Sequence, residues 1–314
     1  NTDFYEDLAT DMDEGERVWI PSENRFMSQQ DLYVKVIMIK PDCILVPNHC
    51  LDLSKLMAHG DSIWVPHFGE YMTRTSLLVK AIALDIDYRK SHPGKKLFSN
   101  IFYYIYLADT LVDNTPVWLP SENRHMTRQD LYFKVLNDDE ERSYYGLYCY
   151  IRLAKSLSDD DQIWIPSEHK HMTKKEIYLQ CMSLFPKNDY IEYAYINLAY
   201  ILSPGESVTL PPTGESVTAR DLFKKAIEIN PYNYYAYFGL GTTMPQHGSI
   251  YIKARSQSMT QAALYDEAIQ LYHECHYDNE IYLTPLEVPL DRGIEDRLVS
   301  QFYARQDERN RLGL

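Results

Sequence analysis

Two short stretches of the sequence hold residue types that could ligate a metal ion. They are His169-x-His171 and His273-Glu274-Cys275-His276. Neither stretch has the spacing of a zinc ribbon and neither recurs elsewhere in the chain, so both are interpreted as surface histidines. The sequence predicts no metal site and no cofactor.

Other signatures of chemistry are weak. The acidic runs at 138–141 and 159–161 could chelate a cation, but such runs are usually solvated loop charges. The sequence contains no glycine-rich phosphate loop and no Gly-x-Ser-x-Gly elbow. It therefore provides no candidate catalytic residue and predicts a protein that is not an enzyme.

Composition limits the partners. The chain has 314 residues, of which 45% are apolar, and its 31 Lys and Arg against 45 Asp and Glu give a formal net charge of −14. This charge predicts repulsion from nucleic acid and from anionic lipid. The mean hydropathy is −0.41, and the longest strongly apolar run is far below the ~20 residues that span a bilayer. We expect neither nucleic-acid binding nor membrane insertion.

The compartment is only weakly indicated. The five cysteines lack the rhythm of a disulfide framework. The chain begins at Asn1 without a secretory n-region or h-region, which predicts either a processed product or an excised fragment. An extracellular location is slightly favoured over a cytoplasmic one.

The four tryptophans reveal an internal repeat, because all of them lie in one phrase of an apolar residue, Trp, an apolar residue and Pro. Two further copies carry Thr or Tyr in place of Trp, and the last of them, Ile250-Tyr251-Ile252, lacks the Pro. The anchors are therefore Trp19, Trp64, Trp118, Trp164, Thr209 and Tyr251. Their spacings of 45, 54, 46, 45 and 42 residues are typical of a repeat architecture.

Six modules follow from these anchors. Their approximate bounds are 1–44, 45–92, 93–143, 144–188, 189–231 and 232–285. Residues 286–314 leave the pattern and are predicted to form a C-terminal arm followed by a capping or docking helix.

Each module is predicted to contain a helix A, a β-hairpin and a helix B. Apolar residues at −14, −11 and −7 from the anchor, and again at +13, +14 and +17, have helical periodicity. Between them, the alternating anchor phrase and a polar tip indicate a two-stranded hairpin. Position +9 is always Ser or Thr, which predicts the N-cap of helix B, and Thr173 with Glu176 predicts a capping box.

The modules resemble the tetratricopeptide repeat. The resemblance rests on Asn230-Pro231-Tyr232-Asn233, Ala236-Tyr237 and Leu240-Gly241 around helix A, and on 223–228 in the preceding helix B. It covers nearly all of residues 1–285. It implies an all-α fold, a right-handed superhelical solenoid of about six helix pairs that usually binds proteins or peptides.

The sequence departs from that family in two ways. The tight turn between the helices is expanded by about eight residues into the predicted hairpin. The small residue that the family carries at +10 is replaced in five modules by Gln29, Arg74, Arg128, Lys174 and Gln261.

Two sets of residues are candidate binding surfaces. Trp19, Trp64, Trp118 and Trp164 could form an aromatic ladder that stacks on proline-rich peptide, sugar or a neighbouring subunit. Alternatively, each Trp packs across its own hairpin, for example on Met27 or Met126, and closes the helix pair.

The second set follows from the resemblance, which places position −13 on the concave surface. A binding stripe there would consist of Leu51, Ile105, Ile151, Ile196 and Phe238. Burial by curvature, linkers or hairpins is the alternative for this stripe.

The ends of the array suggest self-association. Helix A of module 1 begins with Phe4, Tyr5 and Leu8 and has no polar cap before it. The C-terminal helix carries Ile294, Leu298 and Phe302, and it either folds back as a cap or docks on module 1 of the next copy.

The sequence therefore predicts a non-enzymatic scaffold for protein–protein contacts, a structural subunit that self-associates head-to-tail into a fibre or ring. A peptide-binding adaptor that uses the concave groove is the alternative. An enzyme, or a carbohydrate-binding protein that uses the tryptophan ladder, is a more distant one.

Overall fold

The structure is a computed structural model. It describes residues 2–13, 15–41, 44–92, 101–112, 115–137 and 145–277, with single positions at 300 and 311. Within these ranges the order of one helix, two strands and one helix occurs six times. This is the predicted module.

Every helix A and helix B of the six modules is present in the described ranges. In chain order the helices are α1 Thr2–Asp11, α2 Gln29–Ile39, α3 Val46–Lys55, α4 Arg74–Ser91, α5 Ile101–Thr110, α6 Arg128–Asn137, α7 Tyr145–Lys155, α8 Lys174–Leu184, α9 Glu192–Ile201, α10 Ala219–Ile229, α11 Tyr234–Thr242 and α12 Gln261–Tyr277. The strands are β1 Arg17–Ile20, β2 Arg25–Ser28, β3 Ser62–Val65, β4 Glu70–Thr73, β5 Val117–Leu119, β6 Arg124–Met126, β7 Gln162–Ile165, β8 Lys170–Thr173, β9 Ser207–Leu210, β10 Glu215–Thr218, β11 Ser249–Ile252 and β12 Gln257–Thr260.

The chain divides into two compact units, residues 1–137 and 138–314. In the first unit α2 packs against α3 and α4 packs against α5; in the second, α8 packs against α9 and α10 against α11. Within each unit, helix B of one module therefore covers helix A of the next, in addition to its own partner. None of the helices in the described part of the chain is both long and apolar enough to cross a membrane.

Helix B begins at the predicted N-cap in every module. The side-chain oxygens of Ser28, Thr73, Thr127, Thr173, Thr218 and Thr260 each accept from the backbone N–H three residues later. The capping box of Thr173 and Glu176 is also present, since the Thr173 N–H donates to the Glu176 carboxylate at 2.8 Å. Both predictions are confirmed.

The six hairpins share one register and one turn geometry. The anchor always pairs with position +7, and position −1 pairs with +8, as in Trp19 with Phe26 and Val18 with Met27. Position +5 is left-handed in all six, with φ between 50° and 71°, at Asn24, Gly69, Asn123, His169, Gly214 and Ser256. Glycine and asparagine tolerate this conformation best, so His169 and Ser256 are strained.

A tyrosine on helix A fixes the hairpin tip. The hydroxyl of Tyr104 donates to Glu122 at 3.1 Å, and Lys134 on helix B contacts the same carboxylate oxygen at 3.1 Å. Burial raises the pKa of Glu122, but the hydrogen bond and the charge of Lys134 outweigh it and leave that pKa lowered. This group, at positions −14, +4 and +16, is called the tyrosine node.

Module 1 repeats the tyrosine node, and two other modules carry altered forms of it. In module 1, Tyr5 donates to Glu23 at 3.1 Å and Lys35 lies 2.8 Å from the same oxygen. In module 6 the charges are exchanged: Arg255 donates to the Tyr237 hydroxyl at 3.0 Å and pairs with Glu267. In module 2 the positions hold Cys50, Phe68 and Lys80, and the ammonium lies 4.7 Å from the Phe68 ring centroid.

Three of the five polar residues at +10 cap the C-terminus of helix A in their own module. Gln29 donates to the Ala9 carbonyl at 2.7 Å, Arg128 to that of Ala108 at 3.1 Å, and Gln261 to that of Gly241 at 3.0 Å. The last carbonyls of a helix lack partners within the helix, so each side chain satisfies a group that the inserted hairpin would otherwise leave free. This explains the departure from the tetratricopeptide pattern in these three modules.

Position +11 reaches the following module. Gln30 donates to the Leu56 carbonyl at 2.6 Å, and Arg220 donates to that of Thr243. Both carbonyls lie eight residues before the next anchor. In modules 1 and 2, and in modules 5 and 6, the helix ends next to the two hairpins are therefore neighbours.

We predict that Tyr104→Phe lowers the free energy of unfolding by about 1 kcal/mol, because Glu122 loses a donor inside a partly buried contact. Urea denaturation followed by circular dichroism measures this. The cost should be largest at neutral pH, where Glu122 is ionised, and should shrink as acid protonates that carboxyl. Tyr71→Phe, on an exposed ring, is the control; equal losses in the two variants would contradict a role for the node.

We also predict that His169→Gly stabilises the protein by roughly 0.5–1 kcal/mol, because relief of the left-handed strain exceeds the entropy cost of glycine. The converse change, Gly69→Ala, meets no atom within 4 Å and so tests conformation alone. It should lower the midpoint of thermal unfolding. A fall for both variants would show that the turn geometry is not what matters.

Candidate functional site

The outer face of each hairpin carries the anchor residue. Side chains alternate between the two faces of a strand, so Ile63 and Val65 point toward the helices while Trp64 between them points outward. On β4, Met72 faces inward and Tyr71 outward, opposite Trp64. The outer face of this hairpin is an aromatic pair.

Four modules have such a pair, with nearly the same geometry. Each Trp side chain is 45–46% exposed. The ring centroids are 5.2–5.3 Å apart and the ring planes cross at 55–63°. The pairs are Trp19 with Phe26, Trp64 with Tyr71, Trp118 with His125, and Trp164 with His171. We call them the aromatic pairs.

Each Trp packs across its own hairpin, as the alternative expected, but the methionines named as partners are wrong. Met27 and Met126 are fully buried and lie on the inward face of their hairpins. They occupy position +8, whereas the residue opposite the anchor is at +7. The sequence held the signal, since Phe26, Tyr71, His125 and His171 all stand at +7.

The aromatic pairs are absent from the last two modules. There the outer positions hold Thr209 with Ser216 and Tyr251 with Ser258, in the same register. The pairs thus occur in all three modules of the first unit and in module 4 of the second.

Charges beside the aromatic pairs have both signs. Arg17 is exposed next to Trp19 and donates to the Phe26 carbonyl at 3.3 Å. Asp61 and Glu70 are exposed at the ends of β3 and β4. No single charge therefore dominates the outer faces.

The proposed concave stripe does not form an open surface. Leu51, Ile105, Ile151, Ile196 and Phe238 are all buried. Helix packing is the physical reason: α3, for example, lies against both α2 and α4, and α9 lies against both α8 and α10. The alternative given for the stripe, burial, is what the structure has.

The N-terminal end is less apolar than the sequence suggested. Tyr5 is buried and takes part in the tyrosine node, and Leu8 is only partly exposed. Phe4 is 52% exposed. The rest of the outer side of α1 is acidic, with Asp3, Asp7 and Asp11 exposed at four-residue spacing. Ile294, Leu298 and Phe302 lie outside the described residues.

The histidine stretch at 169–171 has structural roles. His169 occupies the left-handed turn position and His171 packs against Trp164. Within the described ranges, no three His, Cys, Asp or Glu side chains come together as a metal site. Cys50, Cys149 and Cys181 are buried, and burial raises the pKa of Cys50 to about 12, so this thiol is a poor nucleophile.

No protein-family model matches the chain, and no curated protein matches it in sequence. The aromatic pairs are therefore interpreted from their geometry.

We predict that acrylamide quenches the four tryptophans to similar extents when the protein is diluted to the monomer, because their exposed fractions agree within one per cent. Each single Trp→Phe variant should leave the quenching constant of the remaining emission unchanged. Stepwise loss with two distinct quenching constants would mean that some tryptophans are buried in solution.

Proposed function

We propose that the chain is a non-enzymatic repeat scaffold of the tetratricopeptide type that works through protein–protein contacts and self-associates as a structural subunit. The proposal includes a right-handed superhelical arrangement of the helix pairs. The packing of helix B against the next helix A supports that arrangement.

The observation that carries the proposal is the repeated exposure of the aromatic pairs. Phe26 is 55% exposed and Tyr71 is 71% exposed, beside tryptophans that are nearly half exposed. Single exposed apolar side chains are ordinary, but clusters of Trp, Tyr and Phe are characteristic of protein interfaces.

The burial and exposure of these side chains favour self-association over peptide binding. The peptide-binding adaptor loses support, because the side chains expected to line its groove are buried. Self-association keeps its support, but the apolar surface available for it lies on the hairpins more than on α1. Sugar binding by the tryptophans is a separate outcome that the experiments below detect.

Light scattering over a concentration series tests the proposal. The mass of the full chain should rise above the 36.8 kDa of one copy as concentration increases. Because each copy carries a net charge of −14, added salt should strengthen the association by screening the repulsion between copies. A constant monomer mass at high concentration and high salt would rule out self-association.

A further inference from the structure

We infer that two copies associate face to face through the outer surfaces of their hairpins, with the Trp of one copy stacked on the Pro at position +2 of the other. The inference rests on the proposed self-association and names its surface. It places the contact on the hairpin faces and not on α1 or the C-terminal helix.

The outer face is chemically self-complementary. In module 1, Trp19 and Phe26 present an aromatic corner, and Pro21 stands exposed two residues after the Trp. Modules 2 and 3 repeat this set with Pro66 and Pro120, which are also exposed. A proline ring is flat and rich in C–H groups, so it packs well on an indole face.

A two-fold axis between the copies allows the same Trp–Pro contact to form in both directions. In an isologous contact, residue i touches residue j of the partner and residue j touches i. With the axis at module 2, Trp64 of one copy can therefore cover Pro66 of the other while its own Pro66 is covered in return, and module 1 of each copy faces module 3 of the other. No second surface is required, and the contact closes as a dimer.

Electrostatics favour this face over the N-terminal end. Asp7 and Asp11 are exposed on α1, and Lys40 lies 3.4 Å from Asp3 and offsets part of its charge, so a second negatively charged copy at that end meets a net repulsion. The hairpin faces carry Arg17 as well as Asp61 and Glu70, so local repulsion there is small.

The exposed area is adequate. The six rings of the first unit each expose about 100 Å², roughly half of the area of an aromatic side chain, which gives ~600 Å². The three prolines and the strand backbones add to this. A standard stable interface buries about 800 Å² on each partner. The Gln30 to Leu56 hydrogen bond joins the start of helix B of module 1 to the end of helix A of module 2, the helix ends next to these two hairpins.

The experiment replaces aromatic pairs by the pair that module 5 already carries. Trp64→Thr with Tyr71→Ser copies Thr209 and Ser216, which occupy a hairpin of the same register, so the fold should be retained. We expect the dimer dissociation constant, measured by analytical ultracentrifugation, to rise about tenfold or more. Far-ultraviolet circular dichroism and the unfolding midpoint check the fold.

An independent test leaves the aromatic pairs intact. Pro66→Ala removes the ring on which Trp64 of the other copy would stack and should weaken the dimer. Phe4→Ser, on the exposed side of α1, is the matched control and should leave the dissociation constant unchanged.

The outcomes separate this inference from the proposed function. If the wild-type chain associates and the module 2 variant associates equally well, the hairpin contact is wrong and self-association stands. If Phe4→Ser is the change that abolishes the dimer, the contact is at the end of the array. If the wild-type chain stays monomeric while cello-oligosaccharides or a polyproline peptide quench its tryptophans, both proposals are overturned.

Discussion

The contact of each hairpin with its own helix pair is the interaction on which the module depends, and in modules 1, 3 and 6 the helix A tyrosine supplies part of it at the hairpin tip. An isolated two-stranded hairpin is at best marginally stable in water, and none of the six has a third strand in the described structure. The tyrosine node joins the tip to both helices, while the inward residues of the strands pack on them. Successive side chains of a strand point to opposite faces, so when the neighbours of the anchor pack on the helices the anchor itself faces outward.

The altered nodes show that the position matters more than the particular chemistry. Module 6 exchanges the charges, with Arg255 at the tip and Glu267 on helix B. Module 2 replaces the hydroxyl and carboxylate by Cys50 and Phe68, and Lys80 is held over the ring instead. Each version joins the tip to helix B, and each hairpin keeps the same register. Modules 4 and 5 change a single position, to Gln180 and Thr213, and their hairpins keep the register as well.

The sequence predicted the parts of the fold that depend on local periodicity, namely the six modules, the N-caps and the hairpins. It failed where one residue of register decides the face: pairing the anchor with Met27 at +8 instead of Phe26 at +7 moves the partner to the other side of the strand. The stripe at Leu51 and Ile105 was inferred from the resemblance, and a pattern of apolar residues cannot distinguish a groove from a packed helix face. The sequence places Tyr5 at an exposed end, because its hydrogen bond to Glu23 joins residues 18 positions apart and leaves no local pattern in the sequence.

The last two hairpins bear on the role of the tryptophans. Their outer faces have Thr209 and Tyr251 at the anchor, yet they keep the register and the left-handed turn of the first four. Folding of the hairpin therefore does not require an indole ring at this position. Since a half-exposed tryptophan leaves much apolar area in water, four of them with aromatic neighbours are unfavourable for a chain that remains alone in solution. A partner that covers the aromatic pairs would remove this apolar area from water and be stabilised by its burial. The hairpin faces, more than the helices beneath them, are therefore the surface to test.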